Sequence, residues 1–368
     1  MTYTVGSYLA RRLQQIGMKH HFAVAGDFNL VLLDQLLTVK ELEQVYCCNE
    51  LNCGYSAEGY ARASGAAAAV VTFSVGGLSA INAIGGAYAE NLPVILVSGA
   101  PNSNDRATEH LIHHTLATHD WSYQLEIAKK LTCAAVSITS ADNAPHQIDH
   151  AIRSALREKK PAYIDIACNV ASAPCDAPGP ISAILGEEPS DPQTLRAAIA
   201  AAVEFLEGKQ KPILLIGSKL RAAGAEKQAI ELAEALGCAV TVMAAAKSFF
   251  PEDHPQFAGI YWGEVSAPGA REIFDWADSV LCIGTIFNDY STVGCTAMPS
   301  GAGVLTADQH RVYLEGHDFG RIHLRDFLSG LAREVQKRTA TMVEYQRIRP
   351  QPQSQEPAKP ETSRATFD

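Results

Sequence analysis

Several common sequence signatures are missing from this chain. It has nine cysteines, an odd number, and no two of them are spaced as C-x-x-C. This pattern argues against a disulfide framework and a structural zinc site, and it fits reduced thiols in a cytosol. The first ten residues lack a charged segment followed by an apolar one, so no export signal is indicated. We therefore expect a cytoplasmic protein.

Basic residues are scarce relative to acidic ones. Lys and Arg total 30 against 40 Asp and Glu, which gives a formal net charge of −10. Excess negative charge disfavours binding to a nucleic-acid backbone or to an anionic membrane surface. Residues 217–224 contain neither G-x-G-x-x-G nor a P-loop Gly-Lys-Ser/Thr. The sequence thus predicts no nucleic-acid partner and no membrane partner, and it gives no nucleotide-binding motif.

One long stretch, residues 65–89, contains no charged residue and is long enough to cross a membrane. It consists mostly of alanine and glycine, and it includes polar residues such as Thr72, Ser74 and Asn82. We interpret it as a buried strand, a glycine-containing turn and a buried helix of small residues, and we expect no membrane span.

Apolar runs alternate with helical patterns along the first half of the chain. The first helix follows Thr4, a suitable N-cap, and ends near Gly17, a suitable C-cap. Continuous apolar runs are typical of strands that are buried on both faces. These runs are residues 21–24, 44–47, 68–72, 94–98, 134–138 and 162–167. Their alternation with helices predicts a doubly wound parallel sheet.

A second αβ alternation follows a stretch with several prolines. We predict an α/β protein with two doubly wound parallel-sheet domains, residues 1–170 and 192–340. Residues 171–191 are predicted to be an extended linker between them. Residues 341–368 are polar and rich in proline, and we predict a disordered tail.

Polar residues follow three of the predicted strands. Asp27 comes after the first, Glu50 after the second, and residues 72–74 after the third. Ligands of doubly wound sheets bind beyond the carboxyl ends of the strands, so these residues are expected to converge. With the adjacent His113 and His114, the two acids form a candidate proton-handling set.

The residues around this set resemble the bacterial pyruvate decarboxylases, which are thiamine-diphosphate enzymes. One motif is Glu-Leu-Asn-Cys-Gly-Tyr-Ser-Ala-Glu-Gly-Tyr-Ala-Arg from Glu50; another is Tyr-Ala-Glu-Asn-Leu-Pro-Val-Ile-Leu-Val-Ser-Gly-Ala-Pro from Tyr88. The resemblance runs from Met1 to about residue 338, although family members are much longer. It implies a thiamine-diphosphate pyrimidine-binding domain followed by a middle domain, with the C-terminal diphosphate-binding domain absent.

The resemblance also implies catalytic roles. Glu50 stands where the family has a glutamate that hydrogen-bonds N1′ of the cofactor's aminopyrimidine ring. Asp27, His113 and His114 resemble a second cluster, which manages protons after carbon dioxide has left. A histidine beside a carboxylate suits proton transfer near neutral pH.

Further residues are expected to line the pyrimidine pocket through backbone and small side chains. They are Val24, Ala25, Gly26, Thr72 and Ser74. We expect no metal ion at His113 and His114, because adjacent side chains point apart on most backbones and no third ligand is near in sequence.

The expected cofactors are thiamine diphosphate and Mg²⁺. The family holds the diphosphate through Mg²⁺ with a Gly-Asp-Gly…Asn-Asn motif in its third domain, and Gly-Asp-Gly does not occur in these residues. Family active sites lie between the first domain of one subunit and the third domain of another. We therefore expect a homo-oligomer, or assembly with a full-length relative, and no activity of this chain alone.

The leading functional hypothesis is a carboxy-lyase that converts pyruvate to acetaldehyde and carbon dioxide without oxidation. A bulkier 2-keto acid, such as indolepyruvate or phenylpyruvate, stays open as substrate because the absent domain shapes much of the pocket. A non-catalytic oligomerisation or regulatory partner of a full-length relative is the other alternative. The presence of Glu50, His113 and His114 argues against it.

Overall fold

The computed structural model describes residues 2–108, 110–186, 188–299 and 303–349. The chain divides into two compact units, Met1–Glu188 and Pro189–Asp368. Each unit is built around a sheet with a parallel core. The predicted fold class, two α/β domains, is thereby confirmed.

Six parallel strands form the main sheet of the first unit. They are β2 (His20–Ala23), β3 (Glu43–Tyr46), β4 (Ala67–Val71), β5 (Val94–Ala100), β6 (Ala134–Ile138) and β7 (Ala162–Ala167). Two further strands of this unit, β1 (Tyr3–Thr4) and β8 (Pro174–Cys175), form a separate antiparallel pair. The order in the sheet is β3-β2-β4-β5-β7-β6, and every neighbouring pair is parallel. Each apolar run that predicts a strand in this unit coincides with one to within two residues.

Helices cover both faces of this sheet. They are α1 (Val5–Gln15), α2 (Leu30–Leu36), α3 (Glu50–Ser64), α4 (Val75–Ala89), α5 (Tyr123–Leu131), α6 (Ala144–Glu158) and α7 (Ser182–Leu185). Thr4 caps α1 as predicted, since its hydroxyl accepts a hydrogen bond from the Ser7 N–H. Gly17 adopts φ +93° just beyond the helix, a conformation that glycine reaches without a Cβ clash.

Small residues allow α3 and α4 to lie close together. A Cβ added to Gly54 on α3 would lie 2.6 Å from the Cβ of Ala83 on α4. Helix α3 packs on β4, an Ala-Ala-Ala-Val-Val strand that is buried throughout, and α4 packs on the neighbouring β5. The uncharged residues 65–89 are thus a strand, a turn and a helix. Within the described part of the chain, no helix combines the length and apolar character needed to cross a bilayer.

The predicted extended linker, residues 171–191, is only partly extended. Strand β8 pairs with β1, the Gly6 N–H donates to the Ala171 carbonyl over 2.9 Å, and Arg12 Nη1 donates to the Gly179 carbonyl over 2.7 Å. The four residues of α7 form a helical turn. The linker prediction is corrected here, because these backbone groups are bound to the first unit.

The second unit has seven described strands in one sheet. They are β9 (Pro212–Ile216), β10 (Ala239–Val242), β11 (Phe257–Ile260), β12 (Ser279–Ile283), β13 (Gly303–Asp308), β14 (Arg311–Leu314) and β15 (His317–Gly320). The order is β11-β10-β9-β12-β13-β14-β15. The first five are parallel, whereas β14 and β15 are antiparallel additions. The sheet is therefore mixed rather than fully parallel.

Helices also pack on the second sheet. They are α8 (Pro192–Leu206), α9 (Lys219–Ala223), α10 (Glu226–Leu236), α11 (Ala270–Trp276), α12 (Leu324–Glu334) and α13 (Ala340–Ile348). Helix α13 occupies residues predicted to be disordered. Its Thr341 is fully buried and hydrogen-bonds the Pro212 carbonyl and the Ala239 N–H. These bonds fix the helix to β9 and β10 and correct the prediction; residues 350–368 lie outside the described residues.

A buried histidine couples the stability of the first unit to pH. His21 on β2 is fully buried, its Nε2 meets the Gln44 side-chain oxygen at 2.9 Å, and its Nδ1 has no partner among the described residues. Burial lowers the pKa of His21, although the hydrogen bond to Gln44 acts in the opposite direction. Free histidine titrates near 6.5. The unfolded chain therefore binds more protons as the pH falls through that value.

We expect acidification from about pH 7.5 to 5.5 to destabilise the first unit, since stability falls where the unfolded state binds more protons. His21→Gln removes the titrating group, so its urea midpoint should depend less on pH. His146→Gln, at an exposed position, should retain the wild-type dependence. Equal pH dependence of the His21→Gln and wild-type midpoints would contradict this account.

Candidate active site

The candidate residues lie at the carboxyl ends of β2, β3 and β4. Asn29, which is fully buried, shapes the loop after β2. Its Oδ1 accepts from the Gly26 N–H over 2.8 Å, and its Nδ2 donates to the Val24 carbonyl over 2.9 Å. These two bonds fold the loop so that Asp27 lies at its tip.

Glu50 is the first residue of α3. Asn49 caps that helix by accepting from the Asn52 N–H over 2.8 Å, so the position of Glu50 follows from the start of the helix. The Glu50 carboxylate is half-buried and has no hydrogen-bond or ion-pair partner among the described residues. A Cβ added to Gly76 would lie 3.3 Å from its Oε1. The first turn of α4 therefore borders this carboxylate.

Thr72 packs between the loop after β2 and the start of α4. A Cβ on Gly26 would lie 2.6 Å from the Thr72 Cβ, and a Cβ on Gly76 would lie 3.1 Å from the Thr72 Cγ2. The Thr72 Oγ1 is buried and without a hydrogen-bond partner in the described part of the protein. Two glycines and a hydroxyl thus form a small cradle beside Glu50.

Asp27 meets both histidines. Its Oδ2 pairs with His113 Nε2, its Oδ1 lies 3.7 Å from His114 Nε2, and its Oδ1 also accepts from the Phe28 N–H over 3.0 Å. Partial burial acts to raise the pKa of Asp27. The hydrogen bond and positive charge of His113 outweigh that effect, so the pKa is lowered. A charged carboxylate thus holds two imidazoles in reach.

An unusual backbone angle brings the two imidazoles to one carboxylate. His114 adopts φ +57°, a left-handed conformation that reverses the usual divergence of adjacent side chains. The ring of Phe28 stacks on His113 with centroids 4.8 Å apart. Phe28 itself packs in a small apolar cluster with Phe73 and Trp121. This apolar cluster therefore packs, through Phe28, against the loop that carries the two histidines.

The same three side chains could hold a metal ion. One ligand atom from each of Asp27, His113 and His114 lies within 4.8 Å of the others. Both reasons given above against a metal are corrected, because the adjacent histidines converge and a third ligand is present. The absence of a metal ion stays a prediction.

The expected pocket residues fall into two connected groups. Glu50, Thr72 and Gly26 lie around the cradle, and Asp27 extends from the Gly26 end of it toward the histidines. Val24 is half-buried and uses its N–H to bond the Val70 carbonyl, whereas Ala25 is exposed. Ser74 is buried, and both its N–H and its hydroxyl are already bonded within the protein.

The structure adds residues that the sequence analysis did not single out. Asn29 was detectable in principle, because asparagine after Gly-Asp is typical of loops with local side-chain hydrogen bonds. Gln124 and Tyr123, which bind Ser74, lie in the amphipathic helix α5 and carry no such signal.

We expect Gly26→Ala to lower the free energy of unfolding by about 1–3 kcal/mol. The added Cβ would meet the Cβ of Thr72, which no rotation of the side chain can move away. Gly59→Ala is the matched control: it lies within α3 with nothing within 4 Å, and it should stabilise by about 0.5–1 kcal/mol. Urea unfolding of both variants measures the two changes in the free energy of unfolding. Equal changes would show that Gly26 and Thr72 are not closely packed.

Two domains of this chain match domains of known proteins. Residues 3–123 match the model of the thiamine pyrophosphate enzyme N-terminal TPP binding domain, and residues 199–312 match that of the central domain. A probable pyruvate decarboxylase of Schizosaccharomyces pombe is 56% identical over 348 residues, which is 95% of this chain and 61% of the relative. A pyruvate decarboxylase of Neurospora crassa is 53% identical over 350 residues, with the same two coverages.

A plant protein matches over the same region. Pyruvate decarboxylase 3 of Oryza sativa subsp. indica is 46% identical over 348 residues, 94% of this chain and 59% of the relative. These relatives are fungal and plant proteins, so the likeness to bacterial enzymes is corrected. The chain spans about three fifths of these relatives, and it carries the N-terminal and central domains of the thiamine pyrophosphate enzymes.

Proposed function

We propose that this chain supplies the pyrimidine half of a thiamine-diphosphate site that decarboxylates pyruvate to acetaldehyde and carbon dioxide. The observation that carries the proposal is the Glu50 carboxylate, which lacks a partner among the described residues and borders the Gly26–Thr72–Gly76 cradle. Identity of 53–56% to fungal proteins named as pyruvate decarboxylases supports the choice of pyruvate over a bulkier 2-keto acid.

The cradle fits a flat heteroaromatic ring with polar edges. The buried Thr72 Oγ1 has no partner in the described structure, and an unsatisfied buried hydroxyl costs about 1–3 kcal/mol. A ligand that bonds it would recover this cost. Gly26 and Gly76 allow the backbone to approach Thr72 and Glu50 more closely than a residue with a side chain could. Glu50, Thr72 and the backbone at Gly26 would therefore hold the pyrimidine ring.

Two separate acids divide the proton chemistry. Thiamine diphosphate, when bound, supplies a carbon nucleophile and an electron sink for the bond to carbon dioxide. Glu50 would accept a hydrogen bond from a ring nitrogen and fix the orientation of the ring. Asp27 orients His113 and His114, and these imidazoles would deliver the proton that replaces carbon dioxide on the product carbon.

We place the remaining parts of the site outside these 368 residues. The residues given contain no Gly-Asp-Gly for Mg²⁺ and the diphosphate, and the relatives are longer than the matched region. A complete site would then form in an oligomer of longer chains, or between this chain and a full-length relative. The 368 residues alone should show no measurable turnover.

Acetaldehyde formation from pyruvate, with thiamine diphosphate and Mg²⁺, tests the proposal. We expect activity only when the chain is mixed with a separately produced C-terminal domain from a close relative. Glu50→Gln should abolish that activity, because a neutral amide replaces the accepting carboxylate. Glu58→Gln, about two turns further along the same helix and paired with Arg62, should retain it.

Two results would count against the proposal. Robust turnover by the isolated chain would contradict the proposal that it supplies only half of the active site. Failure of a folded chain to gain activity with a C-terminal domain of proven competence would overturn the decarboxylase function itself.

A further inference from the structure

A buried amide lies behind the cradle. Gln124, in the first turn of α5, is only 1% exposed. Its Oε1 accepts from the Ser74 N–H over 2.5 Å, and its Nε2 donates to the Ser98 hydroxyl over 3.0 Å and to the Tyr163 hydroxyl over 2.6 Å. Both ends of the amide are therefore fixed, and its oxygen points at the backbone of Ser74.

Ser74 is held in a conformation that non-glycine residues rarely adopt. It has φ +54° and ψ −87°, near the strained γ-turn geometry, and it immediately precedes α4. Its side chain makes no cap hydrogen bond to the helix; its hydroxyl instead accepts from the Tyr123 hydroxyl over 2.8 Å. Such a backbone persists only where its surroundings over-determine it. Among the described residues, the side chains of Gln124 and Tyr123 bond Ser74.

The first turn of α4 lies between Gln124 and Glu50. A Cβ added to Gly77 would lie 2.4 Å from the Gln124 Nε2, and a Cβ added to Gly76 would lie 3.3 Å from the Glu50 Oε1. These adjacent glycines permit close approach on both sides. A shift of this turn would therefore move the backbone that borders the Glu50 carboxylate.

We propose that Gln124 is a positioning residue, which together with Tyr123 holds Ser74 and the first turn of α4 in place against Glu50. The catalytic part of this inference rests on the proposed decarboxylase function. The proposed restraint of residues 74–77 does not rest on that function, because it is a property of the first unit alone. Gln124 acts through the backbone and need not touch the cofactor.

Two variants separate positioning from stability. Gln124→Met fills a similar volume but cannot accept from the Ser74 N–H. Tyr163→Phe, the control, removes the buried hydroxyl that bonds the Gln124 Nε2, together with its hydrogen bonds to Ser98 and Asp165, and leaves the bond between the Gln124 Oε1 and Ser74 intact. Both variants should lower the melting temperature, so stability alone cannot distinguish them.

Amide hydrogen exchange of the isolated chain is the first readout. Exchange in residues 74–77 should be about tenfold faster or more in Gln124→Met, as expected for the loss of one buried hydrogen bond. It should be unchanged in Tyr163→Phe. Tyr123→Phe removes the other bond to Ser74 at a half-buried position and should speed exchange in the same segment if Gln124→Met does not fold.

The kinetics of the mixed enzyme are the second readout. We expect kcat/KM to fall about ten- to a hundredfold in Gln124→Met, the scale of a misplaced catalytic group, with Tyr163→Phe near wild type. Unchanged exchange in residues 74–77 of a folded variant would overturn the proposal, and so would faster exchange with kinetics equal to those of Tyr163→Phe. If the wild-type mixture is inactive, the proposed function is wrong. The exchange data still test whether Gln124 restrains residues 74–77.

Discussion

The close approach of α3 and α4, which pack on the neighbouring strands β4 and β5, is the packing constraint on which the site depends. Only small side chains fit where Gly54 faces Ala83, and β4 beneath them offers alanine and valine. Because both helices begin just beyond the carboxyl ends of parallel strands, this approach brings their first turns together. Glu50 on one helix then lies beside Gly76 on the other. A larger residue at the crossing would separate the two turns.

The two acids of the site have different surroundings. Asp27 lies at a loop tip, bonded to the Phe28 N–H and paired with His113, and its pKa is lowered. Glu50 has neither a cation nor a donor from the described residues. The first acid is already bonded to the two histidines, whereas the second has no partner among the described residues. In the proposed function, this difference leaves proton delivery to the Asp27 cluster and cofactor binding to Glu50.

Much of the first unit follows directly from its apolar runs. Residues 134–138 and 162–167 are strands with the predicted bounds, because both segments are mostly apolar; β7 is buried throughout, whereas β6 lies at the sheet edge and is half-buried in its middle. The second sheet was less predictable: β14 and β15 form a short antiparallel hairpin with exposed residues such as Tyr313, so no continuous apolar run marks it. Helix α13 was also not predicted, because its segment is largely polar and is anchored by one buried threonine.

At the site, the sequence identified the chemical groups but could not give their arrangement. Motif resemblance pointed to Glu50, Asp27, His113 and His114, yet the convergence of the two histidines depends on the positive φ of His114. Gln124 lies about fifty residues from Ser74 along the chain and reaches it only because α5 returns to the same sheet edge. Contacts of this kind follow from tertiary structure and leave no local pattern.

The central claim is that Glu50 and the adjoining glycine–threonine cradle receive the pyrimidine ring of thiamine diphosphate. A crystal structure of the chain in complex with a competent C-terminal domain, thiamine diphosphate and Mg²⁺ tests it most directly. The account predicts a Glu50 carboxylate oxygen within hydrogen-bond distance, about 2.7–3.2 Å, of a ring nitrogen, with Thr72 at the ring edge. A pyrimidine ring bound elsewhere, or a Glu50 carboxylate turned away from it, would contradict the account.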